Sequence, residues 1–105
     1  MLIELQSHSD LLRMLEERSR LLLVCTAADC PACRMSKPAL LSFAEENSVY
    51  TVNLTEHPAI ARTLSVRSVP TLLLFEGGME RGRRVGAFNA SHLQRMLAGV
   101  PVSRL

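Results

Sequence analysis

Leu21-Leu22-Leu23-Val24-Cys25 is an unbroken apolar run, short and rich in branched side chains. A run of this kind suits a strand covered on both faces, and covering both faces takes a layer of helices on each side of a sheet. The run leads within five residues to Cys30-Pro31-Ala32-Cys33. Beyond it, from Arg34 to about Asn47, Met35, Ala39, Leu40 and Phe43 recur at three- and four-residue spacings that share one helical face. The two cysteines therefore fall where strand gives way to helix. At this spacing they can close a small disulfide ring or open to two thiols, which makes the pair a candidate redox switch.

Cys30 is placed at the helix N-terminus, where unpaired amide N–H groups and the positive end of the helix dipole stabilise a thiolate. Its pKa is expected to fall below the free-thiol value of about 8.5, and the thiolate is the nucleophile. Pro31 has no N–H to lose and suits the first helical turn. Arg34 and Lys37 add positive charge near the sulfur and Asp29 opposes it, with the dipole and the two cations expected to prevail. Cys33, one turn further in, is expected to point back toward the core as the resolving thiol.

The remaining elements follow from local signals. Met1–Leu5 reads as a short edge strand. Ser9 offers an N-cap for an amphipathic helix from about Asp10 to Arg18, carrying Leu11, Leu12, Met14 and Leu15. Leu21–Thr26 is the buried strand, and the long helix runs from Pro31 to about Asn47, bent near Pro38 because proline removes a hydrogen bond. Val49–Leu54 is a strand, Pro58 opens a short helix ending near Leu64, and Thr71–Phe75 is a further strand. Gly77-Gly78 turns the chain into an antiparallel partner from about Gly82 to Ala87. Asn89 caps a last helix, Ser91–Ala98, which Gly99 and Pro101 stop. The alternation predicts an α/β three-layer sandwich forming a single domain over residues 1–105.

Composition narrows the function. The chain has 105 residues, is 48% hydrophobic and only 4% aromatic, so Leu, Val, Ile and Met must fill its core. No apolar run approaches the roughly 20 residues needed to span a bilayer, and the first ten residues lack a basic stretch followed by an apolar one. The expected location is cytoplasmic. There, structural disulfides are rare, and a CxxC is catalytic or metal-binding. Three cysteines with no second CxxC and no suitably spaced His argue against a structural zinc site, so no metal is expected. Cys25 reads as a small buried hydrophobe. His8, His57 and His92 are scattered and read as caps or surface groups.

The net charge of +2 is too small to argue for nucleic acid. Residues 81–105 nevertheless hold five arginines (Arg81, Arg83, Arg84, Arg95 and Arg104) and no acid, which predicts a basic, solvated surface. No phosphate-binding loop, serine-hydrolase elbow or HExxH string is present.

The CxxC, Pro38 five residues after it, Ser68-Val69-Pro70-Thr71-Leu72-Leu73-Leu74-Phe75, Gly78 and Val85-Gly86-Ala87 together resemble the thioredoxin family over about Leu21–Leu97. The resemblance implies a thioredoxin-like α/β/α sandwich with a central mixed sheet. It also implies a cis Val69–Pro70 bond, against the ordinary trans preference, with the Val69 backbone beside Cys30 for an extended substrate segment to pair with. On this reading Cys30 and Cys33 are catalytic, while Asp29, Pro31, Ala32, Val69, Pro70 and Gly86 contact substrate.

The implied activity is thiol–disulfide exchange that reduces protein disulfides. It needs no cofactor, acts on disulfide-containing proteins, is recharged by thioredoxin reductase or glutathione, and is carried out by a monomer. The chain departs from the family pattern at several points, and the connection between the long helix and the next strand is a few residues shorter than usual. Thioredoxins usually carry Trp-Cys-Gly-Pro-Cys, where this chain has Asp29-Cys30-Pro31-Ala32-Cys33 with a proline placed as in glutaredoxins, and there is no tryptophan at all. The family's buried aspartate is Val24 here, and its lysine partner is Thr51. These departures motivate two alternatives, a glutathione-dependent, glutaredoxin-like reductase and a binding module with secondary redox activity.

Overall fold

The computed structural model describes residues 1–99; Pro101 and Arg104 lie outside the described residues. Along the chain the elements are β1 (Leu2–Glu4), α1 (His8–Glu17), β2 (Arg20–Thr26), α2 (Pro31–Ala44), β3 (Val49–Asn53), α3 (Pro58–Leu64), β4 (Thr71–Glu76), β5 (Met79–Val85) and α4 (Ala90–Leu97). The five strands form one sheet in the order β1-β3-β2-β4-β5. β1 and β2 both pair with β3 in parallel, whereas β4 runs antiparallel to β2 and β5 antiparallel to β4. This is the mixed-sheet α/β arrangement expected.

The apolar run of β2 is explained by two cores, one on each face. Leu21, Leu23 and Cys25 face a cluster with Leu11, Met14, Ile60 and Leu64 from α1 and α3. Leu22 and Val24 face the opposite cluster, with Leu40 and Phe43 of α2 and Leu93 and Met96 of α4. Residues alternate across a strand, so only a strand with helices on both sides can bury every position of such a run. β4 repeats the pattern, with Leu73 and Phe75 on one face and Leu72 and Leu74 on the other.

Several boundaries differ from expectation, each for a local reason. α1 is capped by Ser7, not Ser9: the Ser7 Oγ accepts from Asp10 N at 3.0 Å, and the Asp10 carboxylate reaches back to Gln6 N at 2.9 Å. α2 stops at Ala44 because the amides of Glu45 and Glu46 turn to the Ser42 and Phe43 carbonyls three residues back. Asn47 lies past that end, its side-chain amide donating to Phe43 O at 3.0 Å. Pro38 lies inside α2, which continues on both sides of it.

The buried face of α2 is Ser36, Leu40, Phe43 and Ala44, while Met35 is 76% exposed. β5 begins at Met79, directly after a turn in which Gly77 and Gly78 have φ of 59° and 79°. Both values suit the twisted two-residue hairpin turns that glycine accepts without strain. α4 opens as expected at Asn89, through a reciprocal cap with His92 at 3.0 Å in each direction. Burial, then Arg84 and Arg95, hold His92 below its ordinary pKa, which keeps its Nδ1 neutral and able to accept. No helix among the described residues is long and apolar enough to cross a membrane.

Candidate active site

β2 leaves the sheet at Thr26 and reaches α2 through a short loop ending at Asp29, whose φ of 53° is left-handed. Aspartate tolerates this conformation better than most residues. The turn sets Cys30 as the N-cap of α2, and its Sγ accepts a hydrogen bond from Cys33 N at 3.1 Å. The two cysteines form a disulfide with their Cα atoms 5.2 Å apart. Pro31 occupies the first helical turn and is exposed, and Ala32 is half-buried.

One expectation is reversed. Cys33 does not point into the core: it is half-buried, and Cys30 is the more enclosed of the two at 8% exposure. Both line a cavity of about 440 Å³ that also receives Asp29, Arg34 and Lys37. The helix turn that makes Cys30 a cap sets its sulfur over the Cys33 amide, and Cys33 is left the more exposed of the two.

The other residues singled out in the sequence reach the same end of the sheet by strand pairing. Thr71, the first residue of β4, pairs with Cys25 on one side and Val85 on the other. The loop before it and the loop after β5 therefore emerge beside the loop carrying Cys30. The Val69–Pro70 bond is cis. Gly86, at φ 106°, donates its N–H to Pro70 O at 2.8 Å, and Thr71 Oγ1 donates to Ser68 O at 2.7 Å. Val69 is half-buried against the core and Pro70 is buried. Val24 and Thr51 stand side by side on β2 and β3, Val24 fully buried and Thr51 half-buried.

Sequence reasoning missed Ser36. Its Oγ donates to Ala32 O at 3.0 Å and accepts from Phe88 N at 2.9 Å, tying the first turns of α2 to the segment after β5. The signal was its spacing, four residues before Leu40 on the buried face. Ser36→Ala leaves the buried Phe88 amide without its acceptor and is expected to cost about 1–3 kcal/mol, read by urea denaturation. A loss below about 0.5 kcal/mol would contradict this account of the contact.

The arginine-rich end is less of a solvated surface than expected. Arg83 donates to both Glu80 carboxylate oxygens at 2.8 and 2.9 Å and to the Leu64 and Ser65 carbonyls at 2.6 and 3.0 Å, closing the end of α3. Arg84 is 7% exposed and donates to Ala87 O at 3.1 Å. Both guanidiniums are used internally because helix-end and loop carbonyls need donors.

Cys25 is buried at the α1–α3 face, and burial pushes its thiol up to about 12, opposed weakly by Arg83. Alkylation of the reduced native protein at pH 8 should therefore label Cys30 and Cys33 and reach Cys25 only after unfolding; mass mapping of the labelled peptides checks this. No group of three or more metal-ligating side chains occurs among the described residues.

Fold and site together define a protein of thiol–disulfide exchange, with a closed cysteine pair capping a helix behind a central strand. The thioredoxin family model matches residues 3–99, and the chain belongs to the thioredoxin family. It is 42% identical over 71 residues to a thioredoxin of Chlamydia caviae, covering 65% of this chain and 70% of that one. Against a thioredoxin of Alicyclobacillus acidocaldarius it is 36% identical over 78 residues, covering 70% and 74%.

Among solved structures, a mutant thioredoxin from Halobacterium salinarum superposes with a TM-score of 0.81 at 27% identity, over 90% of this chain and 86% of that one. The thioredoxin of Malassezia sympodialis shares the fold, with a TM-score of 0.82 at 22% identity over 93% and 89%. The chain is a thiol–disulfide oxidoreductase that acts on disulfide substrates through Cys30 and Cys33.

Proposed function

We propose that Cys30 is the attacking thiol and Cys33 the resolving one in a protein-disulfide reductase recharged by thioredoxin reductase. The observation that carries this reading is the hydrogen bond from Cys33 N to Cys30 Sγ at the start of α2. An N-terminal amide aimed at a sulfur favours its anionic form, and the anionic form attacks. The Cys30 thiolate attacks a substrate disulfide to give a mixed disulfide. Cys33 then attacks Cys30, releasing the reduced substrate and closing the disulfide found in this structure.

Asp29, Pro31 and Ala32 flank the attacking sulfur, and Val69, Pro70 and Gly86 form the facing wall along which an extended substrate segment lies. The protein works as one thioredoxin-like unit, a cytoplasmic monomer without metal, cofactor or nucleic acid. Support for the reductase comes from a Mycobacterium leprae relative, 36% identical over 75 residues, whose name is bifunctional thioredoxin reductase/thioredoxin. The discriminating experiment is turnover of a protein disulfide under two recharging systems, NADPH with thioredoxin reductase or glutathione with glutathione reductase. Turnover with the first and little with the second is expected; the reverse would replace this reading with the glutaredoxin-like one.

A further inference from the structure

We propose that Glu4, on the edge strand β1, receives the proton that Cys33 must lose to resolve the mixed disulfide, through water in the cavity beside the disulfide. The inference rests on Cys33 being the resolving thiol. Three observations carry it. Cys33 faces a cavity of about 440 Å³ and is not sealed in the core, so water reaches its thiol. Sheet register then sets three side chains in a row beneath that cavity: Val24 pairs with Thr51, and Thr51 with Glu4. Residues paired across parallel strands project from the same face. The nearest of the row is an aliphatic group and the second a hydroxyl, so the first carboxylate along it is Glu4, whose side chain lines the cavity together with Cys33 and Thr51.

The other charged groups lining it are Asp29 from the loop and Arg34 and Lys37 from α2. The two cations cannot accept a proton, and Asp29 adjoins Cys30, the attacking cysteine, and is not part of the row that leads from Val24 through Thr51. Glu4 is exposed, so it exchanges the proton with bulk solvent afterwards.

In the step itself, the Cys33 S–H bond breaks and its proton passes through water to the Glu4 carboxylate. The sulfur electron pair attacks Cys30 Sγ, the Cys30–substrate S–S bond breaks, and the Cys30–Cys33 bond forms. The departing substrate sulfur leaves as a thiolate, so the cysteine pair is oxidised as the substrate disulfide is reduced.

Stopped-flow reaction of the reduced protein with the chromogenic disulfide dithiobis(nitrobenzoate) separates the two attacks, because each releases one equivalent of coloured thiolate. Glu4→Gln should slow the second release about three- to tenfold at pH 7, less than a buried base would because it acts through water. The first release should keep its rate within about twofold. The deficit should shrink as pH rises toward the range where the thiol ionises unaided, and Glu4→Asp should restore part of the rate. An unchanged second phase, a deficit independent of pH, or the same loss from Asp29→Asn but not Glu4→Gln would overturn the proposal. A Cys33→Ser protein that still releases the second equivalent would instead overturn the assignment of Cys33, whatever Glu4 does.

Discussion

Cys33→Ser is expected to drop protein-disulfide turnover to the uncatalysed background and to leave substrate joined covalently to Cys30. Cys30→Ser should lose turnover equally but accumulate no adduct. The two sulfurs pose a contest that magnitudes decide. Exposure favours Cys33, since Cys30 is the more enclosed. Electrostatics favours Cys30, whose sulfur accepts the Cys33 amide at the head of α2.

A hydrogen bond to a charged acceptor is worth about 1.5–3 kcal/mol, which is tenfold to a hundredfold in an equilibrium, and the helix dipole adds to it. Non-reducing electrophoresis with peptide mass mapping reads the outcome. Substrate adducts found on Cys33 of the Cys30→Ser protein, and none on Cys30 of the Cys33→Ser protein, would exchange the roles.

Leu23→Ala should destabilise the fold by about 2–5 kcal/mol. Leu23 is fully buried on β2, between Tyr50 of β3 and Leu73 of β4, at the centre of the α1–α3 core. Truncation removes apolar burial and leaves a cavity that a sheet paired on both sides relaxes into poorly. Domains of this size have about 5–15 kcal/mol in total, so the variant stays folded at room temperature but melts roughly 10–20 °C lower. Met35→Ala, at an exposed position of α2, is the control and should change stability by less than about 0.5 kcal/mol. Calorimetry on the reduced proteins measures both, and a Leu23→Ala shift no larger than the control would refute the central placement of β2.

Chemistry encoded within a few residues was legible directly. The apolar run of β2, the CxxC at its exit, the prolines opening α2 and α3, the Gly77-Gly78 turn and the Asn89 cap all depend on neighbours no more than four positions away. Even there, the cap falls on Ser7 and not Ser9, because two serines only two positions apart offer the same cap and the Gln6–Asp10 contact selects between them. Met35 was placed on the buried face by spacing alone, yet the neighbouring stripe through Ser36 is the one covered, since Phe88 and α4 approach from that side. Arg83 and Arg84 read as surface charges because their carbonyl partners, at Leu64, Ser65 and Ala87, are visible only after folding.

The sequence by itself therefore determined the elements, the fold class and the identity of the reactive pair, since strand and helix periodicity, caps and a two-residue spacing between cysteines are local properties. Only the tertiary structure decided which cysteine is the more exposed, that Val69, Pro70 and Gly86 meet at the same sheet end as Cys30, and that Glu4 shares a row with Thr51 and Val24. Those relations join residues some 20 to 60 positions apart through strand register, and register is set by how two cores pack on one sheet, which no local pattern specifies.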